Sequence, residues 1–300
     1  MPPANAILLP QTQQFGSTNV ILAARGRRHS VRDFPGPLSI KTVIDGRVAW
    51  KVEHRELCVD DSSFLVLNDG EPYSMEIDEH RPVTTCCVFF AHGFVESVAR
   101  DLSQPVRHSL DEPANTGAPL TFLSRLHPRD QRVVPAMRAI RERILTGAET
   151  SEMEERYLLL ARNLLLIYAE TREQIARVPA ARASTRTEML RRVSRGRDFL
   201  HAYAAHSATL QETARAAHLS PFHFHRIFTL AFNQTPHSYL TCLRLEHARS
   251  LLAKGLPVTE VCGAIGFQSL GSFSTLFRKR FGVPPSQFSK IREALRPSVL

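Results

Sequence analysis

Three histidines crowd one short stretch of the sequence, HLSPFHFHR (218–226): His218, His223 and His225, with Arg226 next to the last of them. Imidazoles this close together suggest a metal site, proton transfer, or hydrogen bonding to another molecule. The choice turns on the secondary structure beneath them. On a strand, His223 and His225 would share a face, as an H-x-H metal pair does. On a helix they lie about 200° apart and cannot hold one ion. A helical zinc pair needs positions i and i+4, as in H-E-x-x-H. No carboxylate is spaced to orient an imidazole for acid–base work. If the stretch is helical, it offers a recognition surface, with no catalytic residue, no metal ligand and no cofactor.

A repeat makes it helical. LQETARAAHLSPFHFHRIFTLAFNQTP (210–236) aligns with VTEVCGAIGFQSLGSFSTLFRKRFGVPP (258–285). Leu210, Thr213, Ala214, Ala217 and Leu219 match Val258, Val261, Cys262, Ile265 and Phe267 at an offset of 48. Phe224, Phe228, Phe232 and Pro236 match Phe273, Phe277, Phe281 and Pro285 at an offset of 49. Each copy is a short helix, a tight turn and a second helix with aromatics at i, i+4 and i+8, which is a helix-turn-helix written twice. Ser220 and Pro221 supply an N-cap and a first-turn proline, and Gly266 suits the second turn. Phe224, Ile227, Phe228 and Phe232 form the buried stripe. Phe222, His223, His225, Arg226 and Thr229 therefore fall on or near the exposed side.

Charge points the same way. Residues 1–179 hold 21 Lys and Arg against 23 Asp and Glu, a net of −2. Residues 180–300 hold 17 against 6, a net of +11. A basic back half implies a polyanionic partner, nucleic acid before a membrane surface. A helix fits the DNA major groove, where Arg226 can give guanine O6 and N7 two hydrogen bonds and His225 can meet a base edge. Ser220 at a helix N-terminus, with His223 and Thr229 beside it, suits phosphate. The plainer alternative is a solvated helix face carrying one arginine.

The front half carries strand patterns at 38–44, 47–54, 63–68 and 83–91, separated by Asp45-Gly46, Asp69-Gly70 and Pro82. These short antiparallel strands suit a sandwich or small barrel. The composition of 111–119 marks a loop. Helices are expected from Pro128 to about 145, and from a Ser151–Glu154 capping box to about 178. The second contains LLLARNLLLIY (158–168), apolar nearly all round, which must bury two faces. Leu160, Leu164, Leu165 and Ile167 are candidates for a homodimer contact, the alternative being a core inside one domain. PAARASTRT (179–187) has the composition of a linker. The five cysteines, odd in number and set in apolar runs, suit reduced core thiols in a cytoplasmic protein. No transmembrane run and no secretory leader is legible. In RGRRHSVRD (25–33), Arg25, Arg27, Arg28 and Arg32 could hold an anionic effector, with Trp50 a further candidate contact; the alternative is a solvated segment.

With both motifs in view, residues from about 187 to 290 resemble the double helix-turn-helix DNA-binding domain of AraC/XylS-type transcriptional regulators. PHSYLTCLRLEHARSLLAKG (236–255) is similar to the helix that links the two motifs in that family, and AIGFQSLGSFSTLFRKRFGVPPSQF (264–288) to its second-motif signature. The resemblance implies two recognition helices in successive major-groove segments of promoter DNA. Base-facing positions would be Phe222, His225 and Arg226 in the first, and Leu270, Gly271, Ser274 and Thr275 in the second. The second helix lacks Arg, Gln or Asn on that face, so phosphate contact through Ser269, Ser272 and Arg278 would dominate there. The family's common arginine after Phe288 is Ser289 here, with Lys290 or Arg292 as substitutes.

The front half is similar to the cupin-like β-barrel that serves such regulators as a sensor. The expected architecture is α+β: an antiparallel cupin-like barrel with flanking helices, then an all-α domain of two helix-turn-helix motifs joined by a long helix. The expected divisions are 1–125 for effector binding, 126–178 for dimerisation, 179–187 for the linker and 188–300 for DNA. His29, His54, His80 and His92 are scattered, so no metal is expected in the barrel. The implied function is ligand-responsive, sequence-specific transcriptional regulation by a homodimer, with RNA polymerase a further partner of an activator. A partner-controlled or unliganded DNA binder, or an enzymatic cupin tethered to DNA, are the alternatives.

Overall fold

The computed structural model describes residues 15–103, 120–146, 150–204 and 208–294. The chain divides into two compact units, Met1–Ala176 and Arg177–Leu300. The helices expected at 126–178 thus belong with the barrel unit.

The first unit is built on strands β1 (Val20–Pro35), β2 (Ser39–Asp45), β3 (Val48–Val52), β4 (Arg55–Val59), β5 (Ser63–Leu67), β6 (Pro72–Phe89) and β7 (Leu126–Pro128). They form one antiparallel, barrel-like sheet in the order β4-β3-β6-β2-β5-β7, with β1 along the other edge of β6. β1 includes the whole basic stretch 25–33, which composition had marked as a charged segment. Pro82, expected to end a strand, lies inside β6, where pairing jumps from Gly26↔Val83 to Arg28↔Asp78. A bulge tolerates a residue with no N–H to give the ladder.

Alternation along the strands makes two cores. Val43, Trp50, Leu57, Leu65, Tyr73, Cys87 and Phe89 fill the barrel interior. Ile40, Phe64, Val66, Cys86 and Val88 face outward beneath helices α1 (Phe94–Ser103), α2 (Val133–Leu145) and α3 (Thr150–Arg177). Cys86 and Cys87 take opposite faces, as their adjacency predicted, and all five cysteines are free. α2 begins at Val133 rather than Pro128, because Pro128 ends β7 and the Asp130 carboxylate accepts the Arg132 and Val133 N–H groups at 2.7 and 3.1 Å. The loop expected at 111–119 and the Ser151 side chain lie outside what is described.

The second unit is helical: α4 (Ala183–Ala202), α5 (Leu210–Ala216), α6 (Pro221–Phe232), α7 (Pro236–Ala253), α8 (Val258–Ala264), α9 (Leu270–Phe281) and α10 (Pro285–Ala294). α4 opens inside the expected linker. Its Gly196 lies under Phe224, whose ring leaves no room for a Cβ there.

Candidate nucleic-acid interface

α5–α6 and α8–α9 are the two halves of the sequence repeat, and their turns match bond for bond. His218 has φ 53° and Gly266, its equivalent, φ 78°, both left-handed. Across the first turn His218 N–H donates to Arg215 O (2.9 Å) and Leu219 N–H to Ala214 O (3.0 Å). Across the second, Gly266 N–H donates to Gly263 O and Phe267 N–H to Cys262 O, both at 3.1 Å. These are Schellman-type closures. His218 is thus a turn residue that tolerates a glycine's conformation, which separates it from the other two histidines.

Each second helix starts on a serine. Ser220 Oγ accepts from His223 N–H and Ser269 Oγ from Ser272 N–H, both at 3.4 Å. Each serine hydroxyl keeps its proton to donate outward. Beneath, Phe224 and Phe228 stand 5.3 Å apart and Phe273 and Phe277 5.6 Å. Phe228–Phe232 and Phe277–Phe281 are both 4.6 Å. Asn233 (φ 54°) and Gly282 (φ 82°) end the two helices in the same left-handed state.

With the aromatic stripe buried, α6 presents Phe222, His225 and Arg226 to solvent; Phe222 is 81% exposed. His223 and Thr229 are half-buried, and the Thr229 hydroxyl donates to His225 O at 2.8 Å. On α9, Leu270, Gly271, Ser272, Thr275 and Arg278 are exposed and Ser274 is half-buried. Arg278, Lys279 and Arg280 cluster in the last turn, but Arg280 is bonded back to Glu246 on α7 at 3.3 Å. α7 runs for 18 residues, about 27 Å at the helical rise of about 1.5 Å per residue. Ser289 is half-buried and bonds to Pro285 O at 3.2 Å within α10; the Lys290 and Arg292 side chains lie outside what is described. Among the described residues, no three His, Cys, Asp or Glu come together as a metal-binding group. No described helix is long and apolar enough to cross a membrane.

Other expected sites sit differently. Trp50 is 1% exposed and packed in the barrel interior with Leu57 and Leu65. Arg25, Arg27, Arg28 and Arg32 are exposed on β1, and Arg28 pairs with Asp78 at 3.2 Å. Leu160, Leu164 and Ile167 point into the core between helices and sheet, and Leu165 packs partly against it. The helix's second apolar face is instead Leu158, Leu159 and Leu166, each more than 40% exposed.

Two helix-turn-helix motifs whose second helices each leave an outward face in solvent, the second of them ending in Arg278, Lys279 and Arg280, define a DNA-binding protein. Residues 213–291 match a helix-turn-helix domain family model. Among curated proteins, the chain is 33% identical over 88 residues to the HTH-type transcriptional regulator YobQ of Bacillus subtilis, which covers 29% of this chain and 36% of YobQ. It is 23% identical over 258 residues to YdeC of the same organism, covering 83% of this chain and 82% of YdeC. Most such matches span about a third of the relative. Among solved structures, the DNA-binding domain of AdpA in complex with a target DNA is 24% identical, with 35% of this chain and 96% of that chain covered and a TM-score of 0.34. The C-terminal unit carries a helix-turn-helix DNA-binding domain of the AraC type, similar to those of proteins named as HTH-type transcriptional regulators.

Proposed function

We propose that the chain is a ligand-responsive, sequence-specific regulator of transcription that acts in the cytoplasm on promoter DNA. α6 and α9 would enter successive major-groove segments on one face of the duplex, spaced by α7. The observation that carries this reading is the repeated motif with Phe222, His225 and Arg226 outward on the first copy and Arg278 outward on the second. The net +11 of residues 180–300 supplies the backbone attraction. Likeness to proteins named as transcriptional regulators, YobQ and YdeC, supports the biological setting. The barrel unit would hold the effector and bias DNA occupancy through differential binding to two states.

Binding as a homodimer fits the Leu158, Leu159 and Leu166 face, which leaves an apolar stripe in water. Leu159→Glu should lower the sedimentation mass of the full chain from dimer to monomer; an unchanged mass would contradict it. An activator would further contact RNA polymerase. The reading as a whole is tested by fluorescence anisotropy of the full protein on its own upstream DNA and on scrambled DNA across a salt series. A preference of about a thousandfold or more with a steep salt slope is expected. Equal affinity at every salt would contradict it.

A further inference from the structure

The barrel interior contains one side chain at odds with its surroundings. Lys41 points inward from β2, between Ser39 and Val43, and is 1% exposed. Its Nζ donates to the Tyr73 hydroxyl at 3.1 Å and sits over the rings of Phe89 (3.7 Å) and Tyr73 (4.5 Å). Cys87 is its cross-strand partner on β6. Among the described residues no carboxylate bonds to it. A buried ammonium without a counter-charge is costly and tends to shed its proton. Burial holds Lys41 down to about 8, against the ordinary 10.5. The titratable groups facing it, Cys87 and Tyr73, are pushed up by the same burial and stay protonated near neutrality.

The choice of lysine is itself informative. The chain has 33 arginines and five lysines, yet the basic group inside the barrel is a lysine. An arginine would hold an anion at least as well, but it cannot become a neutral nucleophile. Solvent is close by. Phe15, half-buried, stacks on Phe89 at 4.4 Å, and Phe34, also half-buried, meets both Phe15 (6.0 Å) and Tyr73 (5.8 Å) edge-on. The amine therefore lies behind a shell of aromatic rings, two of which reach the surface.

We propose that Lys41 is a carbonyl-capture site, its amine condensing with an aldehyde or ketone that carries an apolar or aromatic body housed by Phe15, Phe34, Tyr73 and Phe89. This deepens, and rests on, the ligand-responsive reading of the barrel unit. In the step, Nζ bonds to the carbonyl carbon to give a carbinolamine, and the carbon–oxygen bond then breaks. Starting from the ammonium, two N–H protons leave with the carbonyl oxygen as water, and the product is an iminium that retains the single positive charge. Tyr73, bonded to Nζ, is placed to pass protons from nitrogen to oxygen. Water reverses the adduct, as a sensor requires.

The test treats the full-length protein with benzaldehyde and cyanoborohydride, then maps the N-benzyl group by peptide mass spectrometry. Lys41 should carry it at least about tenfold more than exposed Lys51, Lys254 or Lys279, because burial enlarges the neutral, nucleophilic fraction of Lys41 at pH 7. Trapping at Lys41 should rise with pH and level off above about 8. Lys41→Arg should abolish it, and Tyr73→Phe should slow it with Lys41 still labelled. Label on the exposed lysines with none on Lys41, or on Lys41 only after denaturation, would overturn the proposal. So would protection of the barrel by benzoate with no imine formed, which would make Lys41 an anion anchor. DNA affinity of the trapped protein is the second readout. A Lys41 adduct that leaves it unchanged contradicts ligand response and leaves capture standing, whereas no adduct with specific DNA binding intact contradicts capture alone.

Discussion

The two helix-turn-helix copies share a backbone and differ in what they present. Turn for turn and ring for ring they superpose as sequence equivalents: His218 with Gly266, Ser220 with Ser269, Phe224 with Phe273, Asn233 with Gly282. On the outward face the equivalents diverge. Phe222, His225 and Arg226 on α6 stand where α9 has Gly271, Ser274 and Thr275, and Thr229 stands where α9 has Arg278. The first copy concentrates large side chains near the helix start, two of which, His225 and Arg226, can hydrogen-bond. The second is small there and cationic in its last turn. Burial fixes the shared half of the motif and leaves the exposed half open to specialise; on the proposed reading, one copy serves the bases and the other the phosphate backbone.

The largest effects should fall on what the copies share. Phe224→Ala and Phe273→Ala should each destabilise the C-terminal unit by about 3–5 kcal/mol, read as denaturant midpoints. A clear inequality would mean that the aromatic stripes are not equivalent. Next comes the outward face. Arg226→Ala should cost about 1–3 kcal/mol on the preferred DNA and relax its sequence preference, while Thr275→Ala should change affinity by no more than about 0.5 kcal/mol. Equal losses would erase the division of labour. Arg278→Ala should weaken all sequences alike and lower the salt slope by about one, whereas Thr229→Ala, whose hydroxyl is spent on His225 O, should leave the slope unchanged. The smallest effects belong to the turns: Gly266→Ala should cost about 1 kcal/mol in melting experiments, and His218→Gly should be neutral or mildly stabilising, since only non-glycine residues strain at positive φ.

The C-terminal unit was legible because its pattern is local. Aromatics at i, i+4 and i+8, a cap before each helix and a repeat at nearly constant offset carry the information within about 30 residues. The barrel was less so. β1 is masked by its own charge, since Arg25 through Arg32 run largely exposed along a sheet edge and leave few apolar positions to count. Pro82 resembles a terminator until the register shift beside it is known. The face of α3 could not be assigned from LLLARNLLLIY because both faces are apolar; only packing decides that Leu160 and Leu164 turn inward and Leu159 and Leu166 outward. Lys41 did leave a signal, a single cation at an inward position of SIKTVI, with Ser39 before it and Val43 after it.

The division between the copies is tested most directly by substituting every base of the bound site in turn and reading competition by anisotropy with the full protein. Two half-sites about 10 base pairs apart should emerge, one per recognition helix. Wrong bases should cost about 1–3 kcal/mol in the half facing α6, with the strongest penalty at a guanine that disappears in Arg226→Ala. The half facing α9 should tolerate substitution. Equal penalties in both halves, or a profile unchanged by Arg226→Ala, would contradict the account.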